Sequence, residues 1–497
     1  MTGYQIKKEF RSSSTERLKI ILLGKMGNSL ASIDHTRNIN IPIPRNLPTT
    51  LPSSLSCNHF QRYLDINGWC KKCTMKSVTS GHRGVDKLIR RTQSKSDSWS
   101  DPFLEWIPFE NFRDICKIGE GGFSVVYSAT WIQGRRKNKL DKGGKKNEMQ
   151  NIRTNPIKVT LKCIKNSQEM SEEYLKRLKI YYKWSLIQSR KRMQQLLRFY
   201  GMSQDPSTGE YILVTQYTEH GSLRSLLHRH FSSFRWTEKI WWLCDIISNL
   251  LTLHKAGIVH GNIHAGNVLQ VGDLARETTS ALSDTGLNYP ASPLLFNNSG
   301  NGKKNVYGIL PYLAPEVILG KDVSKRSDIY SIGILMIEIL TGIPPFSHRP
   351  HNEQLALEIC QGLRPELAEG TPKVYGELAK HCCCTNPSLR PTAKQLFYIF
   401  NHWWSLMNLD NSEVYEIRNS FLRADKLIPD IIEEKRIMAV RHEEAIYTSR
   451  LLQFQDVLDR RNYSTENYEV IITNNESINS TQFLLLDLNL PDITIDI

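Results

Sequence analysis

Two periodicities run along the middle of the chain. From Phe109 to Val126, apolar and polar side chains alternate around a cluster of glycines, the pattern of two strands joined by a turn. Val159 to Lys162, Tyr211 to Val214, Val268-Leu269 and Ala281-Leu282 are short apolar runs of strand type. A helical period replaces the alternation from Ser171 to Leu197, Ser222 to His230, Glu238 to His254, Ser327 to Thr341 and Leu355 to Gln361, each apolar on one face.

Outside that middle region the pattern weakens. Residues 1–55 mix Ser, Thr, Asn and Pro with one short apolar run, the composition of a disordered segment. Residues 56–76 form a small cysteine-bearing stretch, and 77–103 read as a polar, basic linker with a single helical turn at Asp86-Lys87-Leu88-Ile89. Order resumes at Leu104 and runs to about residue 404. Residues 405–497 are polar and read as largely disordered, with a helical patch from Glu413 to Leu422 and an apolar–acidic alternation from Phe483 to Ile497.

The net charge of +14 raises the question of an acidic partner. Most of the local excess sits between Gln133 and Lys158, in Arg135, Arg136, Lys137, Lys139, Lys142, Lys145, Lys146 and Arg153. No aromatic residues interleave these charges, so the stretch reads as a solvated hairpin insert and gives no specific nucleic-acid site. No run reaches the roughly 18 apolar residues of a membrane span. Leu18 to Leu23 is too short for a signal peptide and lacks a small-residue cleavage site. Ten cysteines, mostly single and in apolar contexts, suit a reducing cytoplasm better than a disulfide framework.

Seven short motifs carry the chemistry. The first is Ile118-Gly119-Glu120-Gly121-Gly122-Phe123-Ser124-Val125-Val126, a glycine-rich turn whose backbone amides can approach phosphates because no Cβ intervenes. Alone it is equally an ordinary hairpin turn. The second is Lys162 in the apolar strand Val159-Thr160-Leu161-Lys162; a buried unpaired ammonium is costly, so the lysine has a purpose, and holding phosphate is one. The third is His260-Gly261-Asn262-Ile263-His264-Ala265-Gly266-Asn267, between an apolar helix and a strand. Then follow Asp284-Thr285-Gly286, Tyr312-Leu313-Ala314-Pro315-Glu316, Ser327-Asp328-Ile329-Tyr330-Ser331-Ile332-Gly333 and Asn386-Pro387-Ser388-Leu389-Arg390-Pro391-Thr392. Each alone is a plausible turn or helix start. Seven in order at these intervals leave chance a negligible share.

Together these motifs resemble a protein-kinase domain over residues 109–404, with the flavour of tyrosine-kinase-like serine/threonine kinases. Trp69-Cys70-Lys71-Lys72-Cys73, Leu104-Glu105-Trp106-Ile107-Pro108-Phe109, Gly308-Ile309-Leu310-Pro311-Tyr312 and Glu444-Ala445-Ile446-Tyr447-Thr448-Ser449-Arg450-Leu451-Leu452 are similar to the expanded kinase-like family of mycorrhizal fungi. The resemblance implies an α+β, two-lobed fold. Its small lobe, 104–216, would be an antiparallel sheet with one helix, and its large lobe, 217–404, mostly helical. It implies ATP and Mg²⁺ as cofactors and a protein substrate or signalling partner. Gly119, Gly121, Val126, Lys162 and Thr215 would contact ATP, the last as gatekeeper before a hinge at Gln216 to Gly221. Asn267 and Asp284 would hold Mg²⁺, Glu316 would pair with Arg390, and Asp328 would brace the catalytic loop.

The family pattern is broken in several places. Asn262 stands where the family has the Asp that accepts the substrate proton, and an amide accepts a hydrogen bond but not a proton. Gly261 replaces the arginine that pairs with a phosphorylated loop, and Thr285 replaces an apolar Phe. The helix after Lys162 presents Arg177 at the place of its usual glutamate partner, with Glu173 one turn earlier on the same face. The pair with Lys162 is therefore expected to be weakened or absent. In the cysteine stretch, Phe60 stands where a second cysteine would complete two pairs. Cys57, His59, Cys70 and Cys73 are then either a Zn²⁺ set or a degenerate, metal-free loop. Cys382-Cys383-Cys384 reads as core. Two functions stay open: a slow protein kinase, and a pseudokinase scaffold that acts by binding.

Overall fold

The computed structural model describes residues 79–95, 103–135, 153–190, 197–272, 279–285, 287, 290–292, 305–408, 416–438 and 441–452. The chain divides into Met1–Ser56 and Cys57–Ile497, and every described residue belongs to the second unit. The cysteine stretch with Cys57, His59, Cys70 and Cys73 lies outside the described residues, as does most of the basic insert.

The elements follow in this order. Helix α1 is Arg83–Ser94, and strands β1 Glu105–Trp106, β2 Phe112–Glu120, β3 Ser124–Trp131 and β4 Ile157–Ile164 come next. Helix α2 is Glu172–Arg190, then β5 Phe199–Gln204 and β6 Tyr211–Gln216 complete the small lobe. The large lobe begins with α3 Leu223–His230 and α4 Trp236–Lys255, then the short strands β7 Val268–Val271, β8 Thr279–Leu282 and β9 Val306–Gly308. It ends with α5 Pro315–Ile318, α6 Lys325–Thr341, α7 Glu353–Cys360, α8 Lys373–Cys382, α9 Ala393–Met407, α10 Glu416–Met438 and β10 Arg450–Leu452.

The small-lobe sheet has the order β1-β5-β6-β4-β3-β2, antiparallel except where the two-residue β1 runs parallel to β5. Period-two alternation gives the sheet two apolar faces. Val159, Leu161, Ile212 and Val214 join Trp131 on one. Leu213 and Tyr211 join Tyr174, Leu178 and Tyr181 of α2 on the other. Lys162 alternates with Leu161 and Cys163 and pairs across the sheet with Leu213 and Val126. Its strand position thus turns it away from the first face.

The large lobe is built on α4, α6 and α9, whose Ile240, Leu243, Ile247, Leu335, Ile339, Leu396 and Phe400 share one core. Ser324 starts α6 through reciprocal bonds with Ser327, and Gly342 ends it in the left-handed region, where a Cβ would strike the Phe231 ring. The cysteines Cys382 and Cys383 are buried, as the core reading holds.

Two stretches read from sequence as a linker with one helical turn and a largely disordered extension with one helical patch hold longer helices. Within the expected linker, α1 packs Val85, Leu88 and Ile89 into the core around α2. The stripe is short and flanked by Arg and Lys, which masks it in composition. Within the expected disordered extension, α10 seals the large lobe with Phe421, Ala424, Ile428 and Ile432, and Asp425 accepts the Trp236 N–H at the start of α4 (2.7 Å). Residues 441–452 also have a defined path. In the basic insert, Arg153 folds back onto Glu105 (2.7 Å) and the Trp131 ring.

Candidate functional site

The site is assembled between the sheet and α6. From the large lobe, the loop at His260 hangs on one carboxylate. Asp328, buried in the first turn of α6, accepts the backbone N–H groups of His260 (2.9 Å) and Gly261 (2.8 Å), and its Oδ2 lies 2.8 Å from His254 Nε2. Gly261 sits at φ +68°, a region glycine enters without strain. His260 Nδ1 accepts the Asn262 N–H (3.2 Å), so that nitrogen carries no proton, and burial pushes the ring below the ordinary histidine value. His264 is likewise neutral, because burial and the neighbouring Arg224 push it well down.

Asn267 links the loop to the next arm. Its Nδ2 donates to the Asn262 carbonyl (3.1 Å), and its own carbonyl accepts from Ser283 N (2.9 Å) and Oγ (3.0 Å). That fixes the residue before Asp284, which has a positive φ of 57°. From the small lobe, Lys162 Nζ meets Asp284 Oδ2 at 2.6 Å. Thr285 is fully buried, and Leu287, two positions on, packs among Tyr174, Leu178 and Tyr181 on α2. Leu287 thus makes an apolar link between this arm and α2.

The structure brings Lys162 together with Asp284, and Asn262 with Asn267. It does not bring Lys162 to a carboxylate of α2. Glu173 instead faces Lys176 (3.3 Å) and Arg177 (3.8 Å) on its own helix. Thr215 is buried opposite Thr160, and Val126 lies across from Lys162. At the roof, Gly121 N–H closes the turn on the Ser124 carbonyl (2.8 Å), and a Cβ at Gly119 would meet no atom within 4 Å. Lower in the large lobe, Arg390 and Glu316 form a two-pronged pair (2.6 and 2.7 Å), with the arginine also donating to the Cys384 and Arg326 carbonyls.

Sequence reasoning missed a second buried ion pair beside the loop. Arg224 on α3 donates to Glu338 on α6 (2.9 Å) and to the Tyr312 hydroxyl (2.8 Å), which itself donates to Glu338. Glu338 is the carboxylate in the apolar C-terminal half of α6, a signal of the same kind as Lys162 in its strand. The arrangement therefore offers an ammonium, a carboxylate and an amide at one cleft, with an amide and no carboxylate at residue 262.

A family model for protein tyrosine and serine/threonine kinases matches residues 112–400. Among curated proteins of Dictyostelium discoideum, probable serine/threonine-protein kinase pats1 is 26% identical over 58% of this chain and 8% of its own length. Serine/threonine-protein kinase dst3 is 24% identical over 70% of this chain and 56% of its own. Dual specificity protein kinase splA is 27% identical over 42% of this chain and 9% of its own. The chain thus spans well under two thirds of these relatives. Among the described residues, no helix is long and apolar enough to cross a membrane, and no group of three or more His, Cys, Asp or Glu residues is placed to hold a metal ion.

Proposed function

Because the chain belongs to the protein tyrosine and serine/threonine kinase family, we propose that it binds Mg²⁺-ATP in the cleft and transfers phosphate slowly to serine or threonine of a protein. The observation that carries this is the Lys162–Asp284 pair, set against a loop that Asp328 holds by two backbone bonds. The side chains fit the cofactor. Asp284 and Asn267 present a carboxylate and an amide oxygen, donors suited to a hard divalent cation. Lys162 suits phosphate oxygens, and Gly119 leaves the roof open to them. Bound Mg²⁺-ATP supplies the phosphoryl group and neutralises its charge.

The chain's own residues supply position and charge. Lys162 orients the phosphates, and Asn267 and Asp284 are spaced by their bonds to Asn262 and Lys162. Asn262 accepts a hydrogen bond from the incoming hydroxyl but cannot take its proton. Loss of a general base costs a factor of about 10² to 10⁴. Phosphoryl transfer depends mainly on positioning and charge neutralisation, so a slow reaction survives.

The specific feature that favours a scaffold instead is the same amide at 262. Phosphate incorporation at saturating Mg²⁺-ATP, wild type against Lys162→Met, separates the two. Incorporation that the lysine change abolishes supports the enzyme. Equal background in both leaves the scaffold.

A further inference from the structure

Of the described residues after α10, Ala445 and Leu452 are buried and Ile446, Tyr447, Ser449 and Arg450 are half-buried, with the rest exposed. They run through the cleft just described. Three observations define the path.

First, the backbone is paired. β10 adds antiparallel to β9, with Arg450 opposite Gly308, Leu451 opposite Tyr307 and Leu452 opposite Val306. This is strand addition to a short, buried strand, and pairing along a strand edge is a common way to hold an extended peptide. Upstream, His351 N–H donates to the Glu444 carbonyl (3.0 Å), and its Nδ1 lies 3.0 Å from the Ile446 carbonyl.

Second, side chains on both flanks are seated. The Tyr447 ring meets the guanidinium groups of Arg224 (4.9 Å) and Arg441 (5.1 Å), and its hydroxyl donates to the Pro345 carbonyl (2.7 Å). Arg450 donates to the His351 carbonyl (2.6 Å). Leu452 is buried among Val306, Ile309 and Leu310.

Third, the residue between these anchors meets the site. Ser449 Oγ donates to Asn262 Oδ1 (3.3 Å). Directly above, a Cβ on Gly122 would overlap the Ser449 carbonyl, so the glycine-rich turn closes on this serine with no room for a side chain. Gly122 has an ordinary φ, so this close approach is what requires its missing Cβ.

We propose that residues 444–452 are an in-cis peptide ligand of the cleft, with Ser449 in the hydroxyl-acceptor position facing Asn262. The outside ligand of the same groove is then an extended segment with an aromatic residue two before the serine, a basic residue directly after it and a leucine three after it. The assignment rests on reading residue 262 as the acceptor-facing position, but not on the rate of any transfer. Any such partner must first displace residues 444–452, and its apparent affinity is lowered by the fraction of chains in which they are bound.

The test uses the full chain and a fluorescein-labelled synthetic peptide of residues 442–452, without nucleotide. Leu452→Asp places a charge in an apolar cluster and should release the chain's own segment. The expected result is peptide binding to this variant about 10-fold or more tighter than to wild type, with a Tyr447→Ala peptide binding neither. Arg450→Glu, which breaks one side-chain bond to the His351 carbonyl outside the apolar cluster, guards against a misfolded Leu452→Asp chain and should act in the same direction. Hydrogen exchange at residues 306–308 should be slow in wild type, fast in either variant and slow again on adding peptide. Equal peptide affinity across the three chains, or equally fast exchange at 306–308 in all of them, would overturn the proposal. Peptide binding that tightens in variants lacking all phosphotransfer would support this inference while refuting the slow enzyme.

Discussion

At residue 262 the backbone is held as firmly as the side chain is chemically weak. Its N–H is taken by His260 and its carbonyl by Asn267, and the loop before it hangs on Asp328. Asp328 is the residue on which this geometry depends most. Asp328→Ala leaves two backbone N–H groups without an acceptor in a buried place, and each costs about 1 to 3 kcal/mol. The expected outcome is a loss of about 3 kcal/mol or more in urea unfolding, with weakened Mg²⁺-ATP binding. Lys162 was legible in the sequence because an ammonium in an apolar strand demands a reason, and the structure gives it Asp284. Glu338, in the apolar half of α6, carries a signal of the same kind, and the structure gives it Arg224. Ser449 was beyond such reading, since it meets Asn262 across 187 positions and no local pattern records a contact that distant.

Helices α3, α4, α6 and α7 are legible to within a few residues because each keeps an apolar face, and Ser324 and Gly342 mark the ends of α6; the sequence reading gives no range for α8 or α9. Helices α1 and α10 were read as a linker and a mostly unstructured tail. Their buried positions, Val85, Leu88 and Ile89 or Phe421, Ala424 and Ile428, keep helical spacing but are diluted by charge. In α2, Arg177 turns to Glu173 and leaves Lys162 to Asp284. Arg177→Glu offers Lys162 a second carboxylate and frees Asp284 for the cation, so it should tighten Mg²⁺-ATP binding in calorimetry. In α4, burial pushes the Asp245 carboxyl up to about 7, although it accepts the Ser280 N–H. From about pH 4 to 7 the unfolded chain has lost this proton while the folded chain keeps it. Stability therefore falls as pH rises through that window, by about 1.4 kcal/mol per unit. Asp245→Asn keeps the acceptor and removes the charge, so its stability gain over wild type in urea should be larger at pH 7 than at pH 4.

At the scale of the kinase domain, the two-lobed fold is legible because seven motifs occur in one order, set on turns, a strand and helix starts. What joins distant parts is legible only where the resemblance implies it, as for Glu316 with Arg390 and Asp328 with the loop at His260. The Arg390–Glu316 pair spans 74 positions, and Arg390 has no exposed side-chain surface. Glu316→Gln leaves that guanidinium buried without its charge partner, and a loss of about 3 to 5 kcal/mol in urea unfolding is expected. On the proposed reading, the cleft keeps Lys162, Asn267 and Asp284 for the nucleotide, and its most serious loss is the proton acceptor at residue 262. The most direct measurement is total phosphate incorporation, into the chain itself and into a generic basic protein, at saturating Mg²⁺-ATP, for wild type and Asn262→Asp. The near-isosteric change should raise incorporation by about 10² to 10⁴, and adding Lys162→Met should abolish the gain. Equal incorporation with and without Asn262→Asp would contradict the account.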